Sequence, residues 1–133
     1  MKLLLDTHSF LWALHAPHLL SASGRTALQA PANSVHVSVV TFWEISLKAG
    51  LGKLSFKGVT PHEYPALAGE SGWIIHPLAP GLAASAGRLP RPTDHRDPFD
   101  RLLICTAIHE GFALVSGDDD FPAYAPHGLK ICW

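Results

Sequence analysis

Leu3-Leu4-Leu5-Asp6-Thr7 is a short apolar run that stops at a carboxylate. Three consecutive leucines, with no polar alternation, read as a strand buried on both faces, as in a parallel sheet. The pattern recurs downstream. Val35-His36-Val37-Ser38-Val39 is rich in β-branched residues, Trp73-Ile74-Ile75 is a third run, and Phe112 to Ser116 and Leu129 to Cys132 are a fourth and a fifth. Helical segments stand between them. Ser9 to His15 stops before Pro17, Ser21 to Ala30 before Pro31, and Thr41 to Ala49 at Gly50. Thr60 to Glu70 is a weaker helix interrupted by Pro65, Pro80 to Leu89 is Ala-rich, and Pro98 to Glu110 is the clearest, ended by Gly111. Strands alternating with helices predict an α/β fold, a mainly parallel sheet with helices on both faces.

Composition narrows the class. The 133 residues carry no repeat and no linker, so a single domain over 1–133 is expected. With 47 % hydrophobic and 16 % charged residues, the chain is not an intrinsically disordered one. No apolar run nears the ~20 residues of a membrane span. The opening Met1-Lys2-Leu3-Leu4-Leu5 meets Asp6 too soon for a secretion leader, and Cys105 and Cys132 make no disulfide framework. A cytoplasmic protein is expected. Cys105 falls on the apolar face of the long helix and reads as core. The nine His residues lack the spacing of a zinc site.

A net charge of −1 excludes the broad basic footprint of an electrostatic nucleic-acid binder. The acids, however, are clustered. Eight of the eleven fall in four places: Asp6; Glu44; Asp94, Asp97 and Asp100; and Asp118, Asp119 and Asp120. Asp6 ends the first strand and Asp118 lies just past the fourth. Glu44 follows the second strand and Asp100 opens the longest helix. In parallel sheets, ligands bind beyond the carboxyl ends of the strands, and all four acids point to that edge.

Each acid also has a structural explanation. Thr41-Phe42-Trp43-Glu44 fits a capping box, and Glu44 with Lys48 fits an i,i+4 ion pair. Asp97-Pro98-Phe99-Asp100 fits an N-cap, a first-position Pro and an acid in the first turn. Ser116 to Asp120 fits a polar turn, and Asp6 can cap the helix after it. Convergence of all four is what these explanations leave over. Carboxylates crowded together repel unless a cation joins them, and a hard divalent ion prefers all-oxygen ligands.

The same residues carry a resemblance. Leu3-Leu4-Leu5-Asp6-Thr7-His8, Phe42-Trp43-Glu44-Ile45 with Lys48, His95-Arg96-Asp97-Pro98-Phe99-Asp100-Arg101-Leu102-Leu103-Ile104, and Leu114-Val115-Ser116-Gly117-Asp118 with Phe121 resemble the PIN-domain ribonucleases. Within these they resemble the VapC toxins of bacterial toxin–antitoxin pairs. The blocks occur in order from the first strand to the last. The resemblance implies a PIN-like three-layer α/β/α sandwich around a central, mainly parallel five-stranded sheet.

It further implies that Asp6, Glu44, Asp100 and Asp118 are catalytic acids binding Mg²⁺, or Mn²⁺. Asp97 either caps its helix or holds a metal-bound water. Thr7 and Ser116 would orient a ligand. Gly117 stands where a basic residue is frequent in the family, and Asp119 and Asp120 are additional acids. The implied reaction is hydrolysis of RNA, leaving a 5′-phosphate and a 3′-hydroxyl and inhibiting translation and growth. Implied partners are a second copy of the chain and a VapB-type antitoxin, through which alone DNA would be contacted.

By chain position, Lys48, Lys53, Arg96 and Arg101 are the nearest cations for the RNA backbone. Phe10, Trp12, Phe42 and Trp43 are expected in the core or a subunit interface rather than as base-stacking groups. Three other readings compete. One is a PIN-type nuclease of RNA processing without an antitoxin, and another is a non-catalytic RNA- or protein-binding PIN module. The third is a phosphoacceptor receiver domain, which needs an Asp ending a central strand and a Lys beyond the last. The strands expected at the centre here end in Ser38 and His76.

Overall fold

β1 (Lys2–Leu5) is the middle of the sheet in the computed structural model, which describes residues 1–133. It pairs in parallel with β2 (Ser34–Ser38) on one side and with β4 (Ala113–Val115) on the other. β3 (Ile74–His76) extends the sheet beyond β2, and β5 (Lys130–Cys132) extends it beyond β4. The order is β3-β2-β1-β4-β5 and every pairing is parallel. The expected sandwich is met, with a sheet that is wholly rather than mainly parallel. The central strand differs from expectation: it is β1, and Asp6 follows it directly.

The leucine run is buried because its side chains serve two cores. Leu3 and Leu5 join Phe10, Val37, Ile45 and Tyr64 on one face of the sheet. Leu4 points the other way, among Phe99, Leu103, Ile104, Leu114 and Phe121. That is the period-2 alternation of a strand applied to an all-apolar sequence. The first face is covered by α1 (Thr7–His15), α3 (Val39–Gly50) and α4 (Tyr64–Glu70). α2 (Ala22–Gln29) adds Ala27 and Leu28 to its margin. The second face is covered chiefly by α6 (Pro98–Glu110) and the turn at Phe121–His127. α5 (Pro80–Ser85) packs against α6. No helix is long and apolar enough to cross a membrane.

Two helix starts differ from the sequence reading, and both bear on what the residues can do. α3 begins at Val39, with Ser38 as its N-cap accepting from the Val40 amide at 3.1 Å. Val39 therefore leaves the strand, and Thr41 is no cap. Pro65 does not interrupt α4 but lies in its first turn, where a missing N–H costs nothing. The capping box is formed instead by Thr60 and Glu63 on the turn before it.

Candidate metal-dependent active site

The strand order reverses between β1 and β4. The chain moves outward from β1 through β2 to β3, then returns to the other side of β1 for β4 and β5. Such a switch point leaves a crevice at the carboxyl ends of the two strands. Asp6 and Asp118 stand there. They line one cleft of ≈ 180 Å³ with His8, Trp12 and Gly117. Asp6 is fixed by its backbone and its side chain together. Its N–H donates to Val115 O at 3.2 Å, and its Oδ1 caps α1 by accepting from Ser9 N at 2.7 Å. Burial raises the Asp6 pKa, against the pull of hydrogen bonds from Ser116 and Ser9 and of the nearby His8.

Ser116 ties the two strand ends together. Its hydroxyl favours the charged form of Asp6 and accepts from the Asp118 amide at 3.1 Å. Asp118 closes a turn by accepting from Asp120 N at 2.9 Å. Asp119 and Asp120 are exposed, outside the cleft lining.

A second acidic group lies on the other side of Thr7. The Thr7 hydroxyl donates to Glu44 Oε1 at 2.5 Å, so residues 6 and 7 face both groups. Glu44 is 1 % exposed, and its other oxygen pairs with Lys48. With the helix capped at Ser38, Glu44 is released from any capping role and points inward. Asp97 and Asp100 complete the group. Asp97 is the N-cap of α6 and accepts from Asp100 N at 2.9 Å. The Asp100 carboxylate lies 3.1 Å from His95 Nε2.

The charges feel one another. Asp100 is pushed up to about 6 by burial and by the charge of Asp97, with Glu44 adding to the rise and the His95 hydrogen bond opposing it. Burial works against the Lys48 charge, yet its bond to Glu44 and the fields of Asp97 and Asp100 hold the ammonium above its usual range. No three His, Cys, Asp or Glu side chains close into a ready metal cage. The structure therefore brings the five predicted acids to one edge as two groups joined through Thr7. Lys48 supplies positive charge inside the second.

The predicted RNA-contacting cations are placed differently from one another. Lys48 is an ion pair in the acidic group. Lys53 is exposed just beyond α3, and Arg96 is exposed with Asp94 at 2.9 Å. Arg101 is the correction. It is buried and donates to Leu89 O, Pro90 O and the Tyr124 hydroxyl, so it holds the 89–90 loop rather than a phosphate. His95 and Tyr124 have roles that the sequence reading did not assign. Tyr124 Oη lies 3.2 Å from His95 Nδ1, which links Arg101 through Tyr124 and His95 to Asp100. A buried His amid exposed loop residues, five positions before an acid, leaves no periodic signature.

Residues 3–126 match the family model of the PIN domain. The chain belongs to the PIN-domain family. A comparison with curated proteins finds no match. Among solved structures, the PIN fold is shared with VapBC2 from Rickettsia felis, in a complex with a DNA fragment from its promoter. That likeness has a TM-score of 0.69 at 20% identity, covering 98% of this chain and 97% of that one. DNA-bound VapBC from Salmonella typhimurium is similar at a TM-score of 0.67 and 18% identity, over 98% and 96% of the two chains. VapBC-5 from Mycobacterium tuberculosis, a member of the VapBC family of toxin–antitoxin systems, follows at 0.60 and 20%, over 98% and 97%. At these identities the likeness concerns the PIN fold.

The dual position of Asp97 can be separated by substitution. Asn is as good an N-cap as Asp, whereas Ala loses about 1 kcal/mol at such a site. Asp97→Asn should melt where the parent does, and Asp97→Ala about 3 °C lower. Cleavage retained in Asp97→Asn would mark the residue as a cap, and cleavage lost at unchanged melting would mark it as part of the acidic site.

Proposed function

We propose that this chain is a divalent-metal-dependent endoribonuclease of the VapC type, the toxin of a pair with a VapB-type antitoxin. The observation that carries the reading is the crowding of Asp97, Asp100 and Glu44, which lifts Asp100 to about 6, with Glu44 bonded to Thr7, the neighbour of Asp6 in the cleft that Asp6 and Asp118 line. Such an arrangement is costly in the bare protein and is relieved by a cation. The donor set is all carboxylate oxygen, which fits Mg²⁺ or Mn²⁺ and not zinc. Asp6, Glu44, Asp100 and Asp118 would supply ligands to one or two ions, with Asp97 beside them. A bound divalent ion there supplies an activated water and neutralises charge on the phosphoryl oxygens.

The chain's own residues account for the rest. The Thr7 hydroxyl donates to Glu44 and the Ser116 hydroxyl favours the Asp6 carboxylate, so both serve the acids. With water as the attacking group, the products carry a 5′-phosphate and a 3′-hydroxyl. Thr7 and Ser116 orient the carboxylates, and His95 fixes the rotamer of Asp100. Lys48 lies where it can exchange Glu44 for a substrate phosphate.

The toxin assignment is supported by the VapBC likenesses. Pairing with a second copy is supported by Val39, Trp43 and Leu47, which are exposed and four residues apart on the outer side of α3, Trp43 being 64% exposed. Translation and growth are the processes such a ribonuclease would stop.

The test is cleavage of a labelled pool of small cellular RNA by the purified protein, with Mg²⁺, with EDTA, and with Asp6→Asn in place of the parent. Discrete fragments bearing 5′-phosphates are expected, absent from both controls. Fragments that persist in EDTA and in Asp6→Asn would overturn the reading, as would intact RNA in every lane with Mn²⁺ also supplied and no antitoxin copurified.

A further inference from the structure

Trp133, which follows β5, packs against the backbone of the cleft itself. A Cβ at Gly117 would stand 2.5 Å from Cε2 and Cζ2 of its indole. Gly117 does not have a positive φ, so the glycine is required for space and not for conformation. The Trp133 ring centroid lies 6.1 Å from that of Trp12, and the Trp12 centroid lies 5.8 Å from that of His8. His8 and Trp12 are one turn apart on α1 and line the same cleft as Asp6 and Asp118. Three rings thus form a wall beside two acids. The wall is open: Trp133 is 38% exposed and His8 is exposed.

We propose that the His8–Trp12–Trp133 wall is a stacking subsite for an unpaired nucleobase beside the Asp6–Asp118 cleft, which gives Trp12 a different place from the core or interface expected of it from sequence. The proposal rests on the nuclease reading above and names how that site grips its substrate. Aromatic rings stack on any base, since every base has a π-face. Charge beside the acids is scarce: the net charge is −1, Arg101 is buried, and Lys48 already pairs with Glu44. Few phosphates can be neutralised at the cleft itself, so base contacts add grip there. Trp133 is held against Gly117 and keeps part of its ring facing solvent, so a base can reach it. The requirement for Gly117 follows, because any side chain there would displace the ring.

The indole N–H signals of the four tryptophans give a readout independent of cleavage. Adenosine 5′-monophosphate and ribose 5-phosphate are titrated separately in Mg²⁺. The nucleotide should shift the Trp12 and Trp133 signals and leave Trp43 and Trp73 in place, and the base-free sugar phosphate should move neither pair. In cleavage, an abasic nucleotide flanking the cut should lower kcat/KM about tenfold or more. Trp133→Ala should cause the same loss on intact RNA and no further loss on the abasic RNA, while Trp133→Phe retains most activity. Gly117→Ala, whose methyl group would meet the indole, should shift the Trp133 signal in the free protein. Equal losses on both RNAs, or ring signals that ignore the nucleotide or answer the sugar phosphate alike, would overturn the subsite. A base-dependent shift without any RNA cleavage leaves the subsite and removes the nuclease reading. Cleavage without the shift does the reverse.

Discussion

Glu44→Gln protein should fold as the parent does and cut RNA at least about a hundredfold more slowly, since metal-assisted stabilisation of a phosphoryl transition state is worth several kcal/mol. The substitution is nearly isosteric. A Gln side-chain oxygen can still accept from Thr7, which donates to Glu44 Oε1, so the contact between α1 and α3 survives. What is removed is one negative charge from a group that already repels itself. Asp100 should become easier to ionise, because Glu44 is one of the charges that raise it. Relief at Asp100 is set against loss of the Lys48 ion pair, so stability in the absence of metal should fall slightly while activity falls far more. Initial rates on a labelled RNA, with melting curves taken in EDTA, separate the two effects. A variant that melts normally and retains more than a tenth of the parent rate would remove Glu44 from the catalytic set.

The second large effect concerns stability. Arg101→Met should lower stability by about 3 kcal/mol, a fall in melting temperature of roughly 10 °C for a domain of this size. The guanidinium is buried and faces carbonyls and a phenol, with no carboxylate among its bonded partners. Met keeps much of the apolar stem but leaves Leu89 O, Pro90 O and Tyr124 Oη without their donor. Hydrogen bonds to a charged group contribute about 1.5–3 kcal/mol each, part of which water recovers at the loop carbonyls. Arg101→Lys should recover little, because one ammonium cannot reproduce the planar fork that reaches three acceptors. The loss should also reach the site, since Tyr124 shares its hydroxyl with His95 and His95 contacts Asp100. Thermal melts of the two variants in EDTA measure the first effect. A melting temperature within about 2 °C of the parent for Arg101→Met would show the buried guanidinium to be dispensable.

The fold was readable because its signals are local. An unbroken leucine run, β-branched strands and a Pro–Gly-bounded long helix each announce themselves within a few residues. The acids could be read for a different reason: Asp6 and Asp118 sit at strand ends, where chain direction alone sets the edge. Glu44 was harder. Its neighbours suggested a capping box, and only the start of α3 at Val39 turns the side chain inward. Arg101 misled because its direction depends on a partner twenty-three residues later, Tyr124. His95 and Trp133 act through contacts with residues far away in the sequence or by filling a space that a glycine leaves. Neither leaves a period. The placement of β1 at the centre was likewise invisible, since strand order is a property of the crossovers.

That strand order has a consequence in time. β1 is made first, yet it lies between β2 and β4, with Leu3 opposite Ala113. Such distant pairings are slow to form because the whole intervening loop must be closed. A chain emerging from the ribosome carries Asp6, Glu44 and Asp100 before Asp118 exists, and the crevice at the switch point does not exist until β4 docks. The acids of a growing chain therefore stand apart until β4 has been made and has docked beside β1, so the site is assembled by one of the last pairings of the sheet rather than by its first.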